Sequence, residues 1–207
     1  MPSRAFDNLD RRMKDIDQLM QAHAALTQFK RARQAAEKAG GGLSNIAKVV
    51  DSLVSEPGRG RRADVDALNR ASIVLLSSHL QGYIEDVYTE AGNVLLASHV
   101  KDVQALLDRA KRSFSNPHDF RIDQLFDSIG LPSVMVGLSW QRARNKSIRN
   151  RLTENVNLRN RIAHGEQENV TKAKVVAFQK FVEVFAKNFD QRVAKEIRNV
   201  TGNKPWQ

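Results

Sequence analysis

Between residues 64 and 97, apolar side chains return every three or four positions: Leu68, Ile73, Leu76, Leu80, Ile84, Val87, Ala91 and Leu95. A backbone with about 3.6 residues per turn gathers that spacing onto one face, so the segment predicts a long buried helix, the central element of a bundle. The same period recurs almost everywhere, and no stretch alternates as a half-buried strand must. Leu9, Met13, Ile16, Met20 and Ala24 predict a first helix from about Phe6 to Lys38, ended by Gly40-Gly41-Gly42. A shorter helix is expected over Ile46 to Val54, followed by the basic linker Pro57-Gly58-Arg59-Gly60-Arg61-Arg62. Two short helices are predicted over Asp102 to Phe114 and Asp119 to Ile129, separated at Asn116-Pro117 and closed by Gly130-Leu131-Pro132. A helix from about Ser139 to His164 comes next, with Gly165 as its C-terminal stop. The last helix, capped by Thr171, carries Phe178, Phe181, Val182, Phe185, Phe189, Val193 and Ile197 on one stripe.

The expected fold is therefore all-α: a helical bundle with a long N-terminal helix and inserted short helices. Its expected organisation is an N-terminal helical segment and linker over 1–62, a bundle over 63–200 and a tail over 201–207. A chain of 207 residues can bury a sizeable core. The formal net charge of +10 points to a polyanionic partner, with nucleic acid ahead of an anionic membrane, although incidental charge is an open alternative. Cysteine is absent, which removes disulfides and thiolate-bound zinc and fits a reducing compartment. The first residues carry no apolar signal core and no apolar run reaches about 18 residues, so a soluble cytoplasmic protein is expected.

The segment with the most chemistry is Leu158-Arg159-Asn160-Arg161-Ile162-Ala163-His164-Gly165. Arginine grips phosphate oxygens with a rigid fork of donors, and histidine moves protons near neutral pH. Together they supply what RNA phosphodiester cleavage needs without a metal. On a helical wheel Ile148, Leu152, Val156, Leu158, Ile162 and Ala163 form an apolar arc with Arg159 near its middle. A guanidinium there needs a carboxylate, an RNA phosphate or a second subunit, because burying an unpaired charge is very costly. Asn160 and His164 share another face, about 140° from Arg159 at the far end. A long arginine side chain, a loosened last turn or a dimer seam could each bring the two together. The competing reading is structural: His164 bonds the last helical carbonyls and Arg159 forms a core salt bridge to Glu85 or Asp86.

Arg-Asn-x-x-x-His within a C-terminal helix of an α-bundle resembles the signature of the HEPN superfamily. The stretch from Leu68 to Tyr88 resembles the first core helix of its RiboL-PSP-like branch, and Phe6 to Arg12 is similar to that branch's N-terminal helix. The resemblance extends from about residue 5 to 195. It implies a homodimer with two motif helices facing across a cleft, and a metal-independent endoribonuclease that needs no cofactor. Arg159 would then hold the scissile phosphate, His164 would handle the 2′-OH or leaving-group proton, and Asn160 would orient the pair. Such proteins are often toxins in toxin–antitoxin or antiviral defence loci, which makes an antitoxin a possible partner. In a subset, a tyrosine two residues after the histidine is modified by a nucleotidyltransferase antitoxin. Glu166 stands there in this chain, which puts that mode of neutralisation in doubt.

Arg142, Arg144, Lys146, Arg149, Arg151 and Arg161 surround the motif and form a candidate path for RNA; a solvated helix face is the competing reading. Glu85 and Asp86, on the central helix, are candidates to support Arg159. His23, His79, His99 and His118 lack metal-ligand spacing, so no metal site is expected. No phosphate-binding glycine loop or serine-nucleophile signature occurs. Two alternatives to the nuclease remain: a non-catalytic HEPN-like module that binds nucleic acid or nucleotide, and a structural helical adaptor.

Overall fold

The computed structural model describes residues 2–39, 63–97, 101–141 and 143–206. Six helices lie among them: α1 (Arg4–Ala39), α2 (Ala63–Leu96), α3 (Val103–Ser113), α4 (Asp119–Asp127), α5 (Asn145–Ala163) and α6 (Lys172–Thr201). The protein is all-α, and no described helix is long and apolar enough to cross a membrane. The expected glycine stop at 40–42, the short helix over 46–54 and the basic linker fall outside the described residues.

Helix α2 touches all five others, as its continuous apolar stripe requires. Ile73, Leu76, Leu80, Tyr83, Ile84, Val87, Tyr88 and Ala91 are fully buried along it. Against it lie Leu9, Met13, Ile16 and Met20 of α1, which join the same core. Helix α6 contributes Phe178, Phe181, Phe185 and Phe189, whose rings follow one another at 6.5, 5.9 and 5.3 Å. Tyr83 closes this aromatic ladder from α2, meeting Phe189 edge-on and donating its hydroxyl to the Ala186 carbonyl at 2.8 Å. A buried phenol needs such a partner.

The start of α1 is fastened by groups that come from far along the chain. Ser3 caps the helix, its Oγ accepting from Phe6 N at 3.1 Å while donating to the buried Asp190 carboxylate. Glu90 of α2 accepts from the backbone N–H groups of Arg4 and Ala5 at 3.1 and 2.6 Å, satisfying donors that the first helical turn leaves orphaned. The α1–α2 seam also buries two histidines. His79 Nε2 lies 3.3 Å from Asp15 Oδ2 but out of hydrogen-bond alignment, and His23 Nδ1 has no partner among the described residues. Burial lowers the pKa of both; at His79 it outweighs the opposing pull of Asp15, so the pair is not a true ion pair near neutrality.

A depressed histidine pKa means that the folded chain resists the second proton more than the unfolded chain does. Stability is therefore held above about pH 6.5 and lost as the pH falls through the folded value. Glu90 and Asp190 are shifted upward by burial and act in the opposite sense, gaining as acid is added. Thermal melts of the wild type and a His79→Gln variant between pH 7.5 and 5 (chosen about the free histidine value) isolate the histidine contribution. The wild type is expected to lose stability on acidification more steeply than the variant; parallel profiles would rule the effect out.

The approach of α3 to α2 depends on Gly92, where a β-carbon would collide with the side chain of the buried Leu107. Gly92→Ala is expected to destabilise by about 1–3 kcal/mol through overpacking, despite alanine's better helix propensity, as read by chemical denaturation.

Helix α5 begins at Asn145, six residues later than the Ser139 expected from the periodicity. The difference has a tertiary cause. Trp140 turns inward against Phe181 and Phe185, at 6.1 and 6.4 Å between ring centroids, and forms an isolated bridge with Ala143. Asn145 Nδ2 donates to the carbonyls of Met135 and Leu138 at 2.6 and 3.0 Å, tying the turn-rich segment to the start of the helix. Arg144 thus caps α5 rather than riding on it, and Arg142 lies outside the described residues.

Candidate nucleic-acid site at the end of α5

The motif occupies the last turns of α5, which end as their sequence requires. His164 is the cap residue and Gly165 follows at φ +86°, a left-handed conformation that suits glycine. Gly165 N donates to Ile162 O and Glu166 N to Arg161 O, both at 3.0 Å, the paired bonds of a Schellman stop. Beyond it the chain is held from inside: the buried Asn69 of α2 donates its Nδ2 to the carbonyl of Val170 at 2.8 Å. That bond anchors the link between α5 and α6.

Arg159 is half-buried, and its surroundings differ from both structural expectations. Asp86 is engaged by Arg12 of α1 at 2.9 Å, and Glu85 accepts from Gln81 at 2.9 Å. These carboxylates brace α1 and the face of α2, so neither supports Arg159. Instead Arg159 Nη1 donates to two amide oxygens, Asn160 Oδ1 at 3.0 Å and Asn116 Oδ1 at 3.3 Å. Amides are neutral. They fix the guanidinium without cancelling its charge, and among the described residues no carboxylate pairs with it. Its Nε and Nη2 make no hydrogen bond among the described residues and are not fully buried, so they keep some access to solvent.

The bond to Asn160 also bears on the angular gap between Arg159 and His164. Asn160 lies about 100° around the helix from Arg159, and His164 only about 40° further on. By swinging to Asn160 Oδ1, the long arginine side chain carries its charge toward the face that His164 shares. His164 is exposed, and its ring makes no hydrogen bond among the described residues. Of the residues expected on the apolar arc, Ile148, Leu152, Val156 and Leu158 are buried, whereas Ile162 is half-buried and Ala163 is exposed. The motif end of α5 therefore reaches the surface rather than closing into the core.

The expected basic path divides. Arg149 is committed to α4, contacting Asp119 at 2.5 Å and Asp123 at 3.5 Å. Arg161 is clamped by Glu168, with Glu166 at 4.0 Å, and this carboxylate pairing holds the guanidinium charged while lowering the pKa of Glu168. Arg151 lies over the Phe181 ring at 5.3 Å and reaches the Ala177 carbonyl. These three help to hold the bundle together, so Arg149 and Arg161 do not present an uncompensated charge to RNA. Arg144 and Lys146 remain exposed at the opposite end of α5, and no acidic residue stands in its first turn.

Asn116 is the contributor that the sequence reading did not single out. Asn116-Pro117 signals only a break between helices, and nothing local says that its side chain meets a residue 43 positions later. The loop between α3 and α4 runs beside α5 because Arg149 pins the first turn of α4.

No curated protein and no solved structure is significantly similar to the chain. The RiboL-PSP-HEPN family model matches residues 43–195, most of the chain, and the match ends within α6. The similarity expected at Phe6 to Arg12 lies outside the matched span, but the branch is the one that the motif and the stretch from Leu68 to Tyr88 resemble. The chain belongs to the RiboL-PSP-HEPN family, a HEPN-type family of helical modules.

Proposed function

We propose that this protein is a metal-independent endoribonuclease acting as a homodimer, with Arg159 and His164 as its catalytic residues and Asn160 and Asn116 as positioning residues. The observation that carries this reading is the guanidinium of Arg159, held by two neutral amide oxygens with Nε and Nη2 unbonded among the described residues, on the same helix end as the exposed His164. A salt-bridged arginine would be a structural element; one held by amides remains an anion receptor. HEPN domains are often ribonucleases, which agrees with this assignment.

In the proposed reaction the 2′-oxygen of a ribose attacks the adjacent phosphorus as its proton passes to a base. The P–O5′ bond breaks as an acid protonates the departing 5′-oxygen. The products are a 2′,3′-cyclic phosphate and a 5′-hydroxyl, with no net change in protons. Two His164 side chains from paired copies would serve as base and acid, and Arg159 would stabilise the charge that builds on the phosphorane. Arg144 and Lys146 add long-range attraction for the polyanion. A role as toxin or defence effector restrained by an antitoxin fits such an activity, with Glu166 making tyrosine-directed neutralisation unavailable at that position.

Incubation of the purified protein with single-stranded RNA in EDTA tests the reading. Fragments with 2′,3′-cyclic phosphate ends are expected. RNA binding that weakens with salt but leaves intact RNA would identify a non-catalytic binding module instead, and the absence of both would leave a structural adaptor.

A further inference from the structure

The geometry points to a nucleobase-stacking subsite for single-stranded RNA on Phe120, next to the phosphate position proposed at Arg159. This inference rests on the RNA-directed reading above but not on cleavage. Among the phenylalanine, tyrosine and tryptophan side chains that the structure describes, Phe120 alone is in the exposed class, at 56% of its full accessibility. Every other phenylalanine of α4 and α6 is in the core, so packing does not account for this one.

Its setting matches what an unpaired base requires. The His118 imidazole stacks on the Phe120 ring at 5.9 Å with 17° between planes, and the Arg121 guanidinium carbon lies over the ring, 5.2 Å from its centroid, where an incoming base would have to displace it to use that face. An aromatic face beside a cation is the usual platform for single strands, because every base has a π face and every nucleotide a phosphate. The platform is also connected to the motif. Phe120 follows Asn116 by four residues, at most about 14 Å of chain, and Asn116 holds Arg159. His118 N donates back to Asn116 O at 2.8 Å, which shortens that span. Asp119, between the two stacked rings, is held by Arg149 of α5. The ring is thus carried on a braced segment, a few nucleotides at most from the guanidinium.

The test uses the full-length protein and a single-stranded RNA oligonucleotide containing 2-aminopurine, whose fluorescence is quenched by stacking. Phe120→Ala is expected to weaken binding about tenfold at fixed salt, to abolish the quench and to leave the melting temperature unchanged. Phe120→Trp should restore affinity and quench, whereas Phe120→Leu, which keeps apolar bulk without a π face, should not. Equal affinity and quench in wild type and Phe120→Ala would overturn the inference, as would a wild type that does not bind the oligonucleotide. Sedimentation of each variant gives the other overturning result: if Phe120→Ala changes the oligomeric state and leaves RNA binding intact, the ring contacts a second copy. Binding that depends on Phe120 without any cleavage would sink the nuclease while sustaining the subsite.

Discussion

Replacing Arg159 by alanine is expected to cut the rate of RNA cleavage by about a thousandfold or more while leaving the fold unchanged. The magnitude follows from removing a preorganised donor aimed at developing negative charge, which costs about 10²–10³ in rate even for a neutral donor. The fold should tolerate the change because the guanidinium bonds only two amide oxygens, at 3.0 and 3.3 Å, and no buried carboxylate is left stranded. That feature separates the catalytic role from the structural one. Had Arg159 neutralised a core acid, its loss would cost about 3–5 kcal/mol of stability. Arg159→Lys keeps the charge but not the fork, and should recover only a small part of the activity. His164→Ala should be as damaging to turnover and milder still to stability, because that side chain is exposed. Single-turnover cleavage assays run beside thermal melts distinguish these outcomes. A variant lacking both side chains that still produced cyclic phosphate ends would dismiss the proposed chemistry.

The largest stability effect is expected at Phe189→Ala, with a loss of about 3–5 kcal/mol. Phe189 is fully buried where three rings converge: Phe185 stacks on it at 5.3 Å, Phe126 meets it edge-on at 5.4 Å and Tyr83 at 6.4 Å. These rings come from α6, α4 and α2, so a cavity there loosens three helices together, and rigid neighbours cannot collapse to fill it. The adjacent Asp190 accepts from Ser3, so the same lesion should also loosen the start of α1. Urea denaturation gives the free energy directly. A loss below about 1 kcal/mol would mean that the ladder relaxes around the missing ring.

Helix order and the buried stripes were legible in the sequence because helical periodicity is local and strong. The expected first helix, Phe6 to Lys38, is α1 from Arg4 to Ala39, and the expected Asp64 to Ala97 is α2 from Ala63 to Leu96. Thr171 caps α6 as expected, its Oγ1 accepting from Lys174 N at 3.3 Å. Where periodicity misled, a long-range contact had the stronger claim. Ser139 to Arg144 fits a helical pattern, yet Trp140 is worth more packed against the α6 rings than turned along a surface helix. The N-terminal clamp was likewise hidden. Nothing near Ser3 announces that Asp190 will meet it or that Glu90 will meet the backbone of Arg4, since those contacts span 187 and 86 positions.

The amino-acid order alone determined an all-α bundle, the position of the motif at a glycine-stopped helix end, and the family to which the chain belongs. Those properties depend on spacing within a few turns of helix and on a short run of residue types, which no partner has to supply. Tertiary structure decided which charges are spent and which are left available. Arg149 and Arg161 read the same as Arg159 in a list of cations, but carboxylates from α4 and from the segment after α5 reach the first two, and only amides reach the third. Electrostatic compensation depends on distances of a few ångströms between groups far apart in the chain, and those distances exist only once the helices have packed.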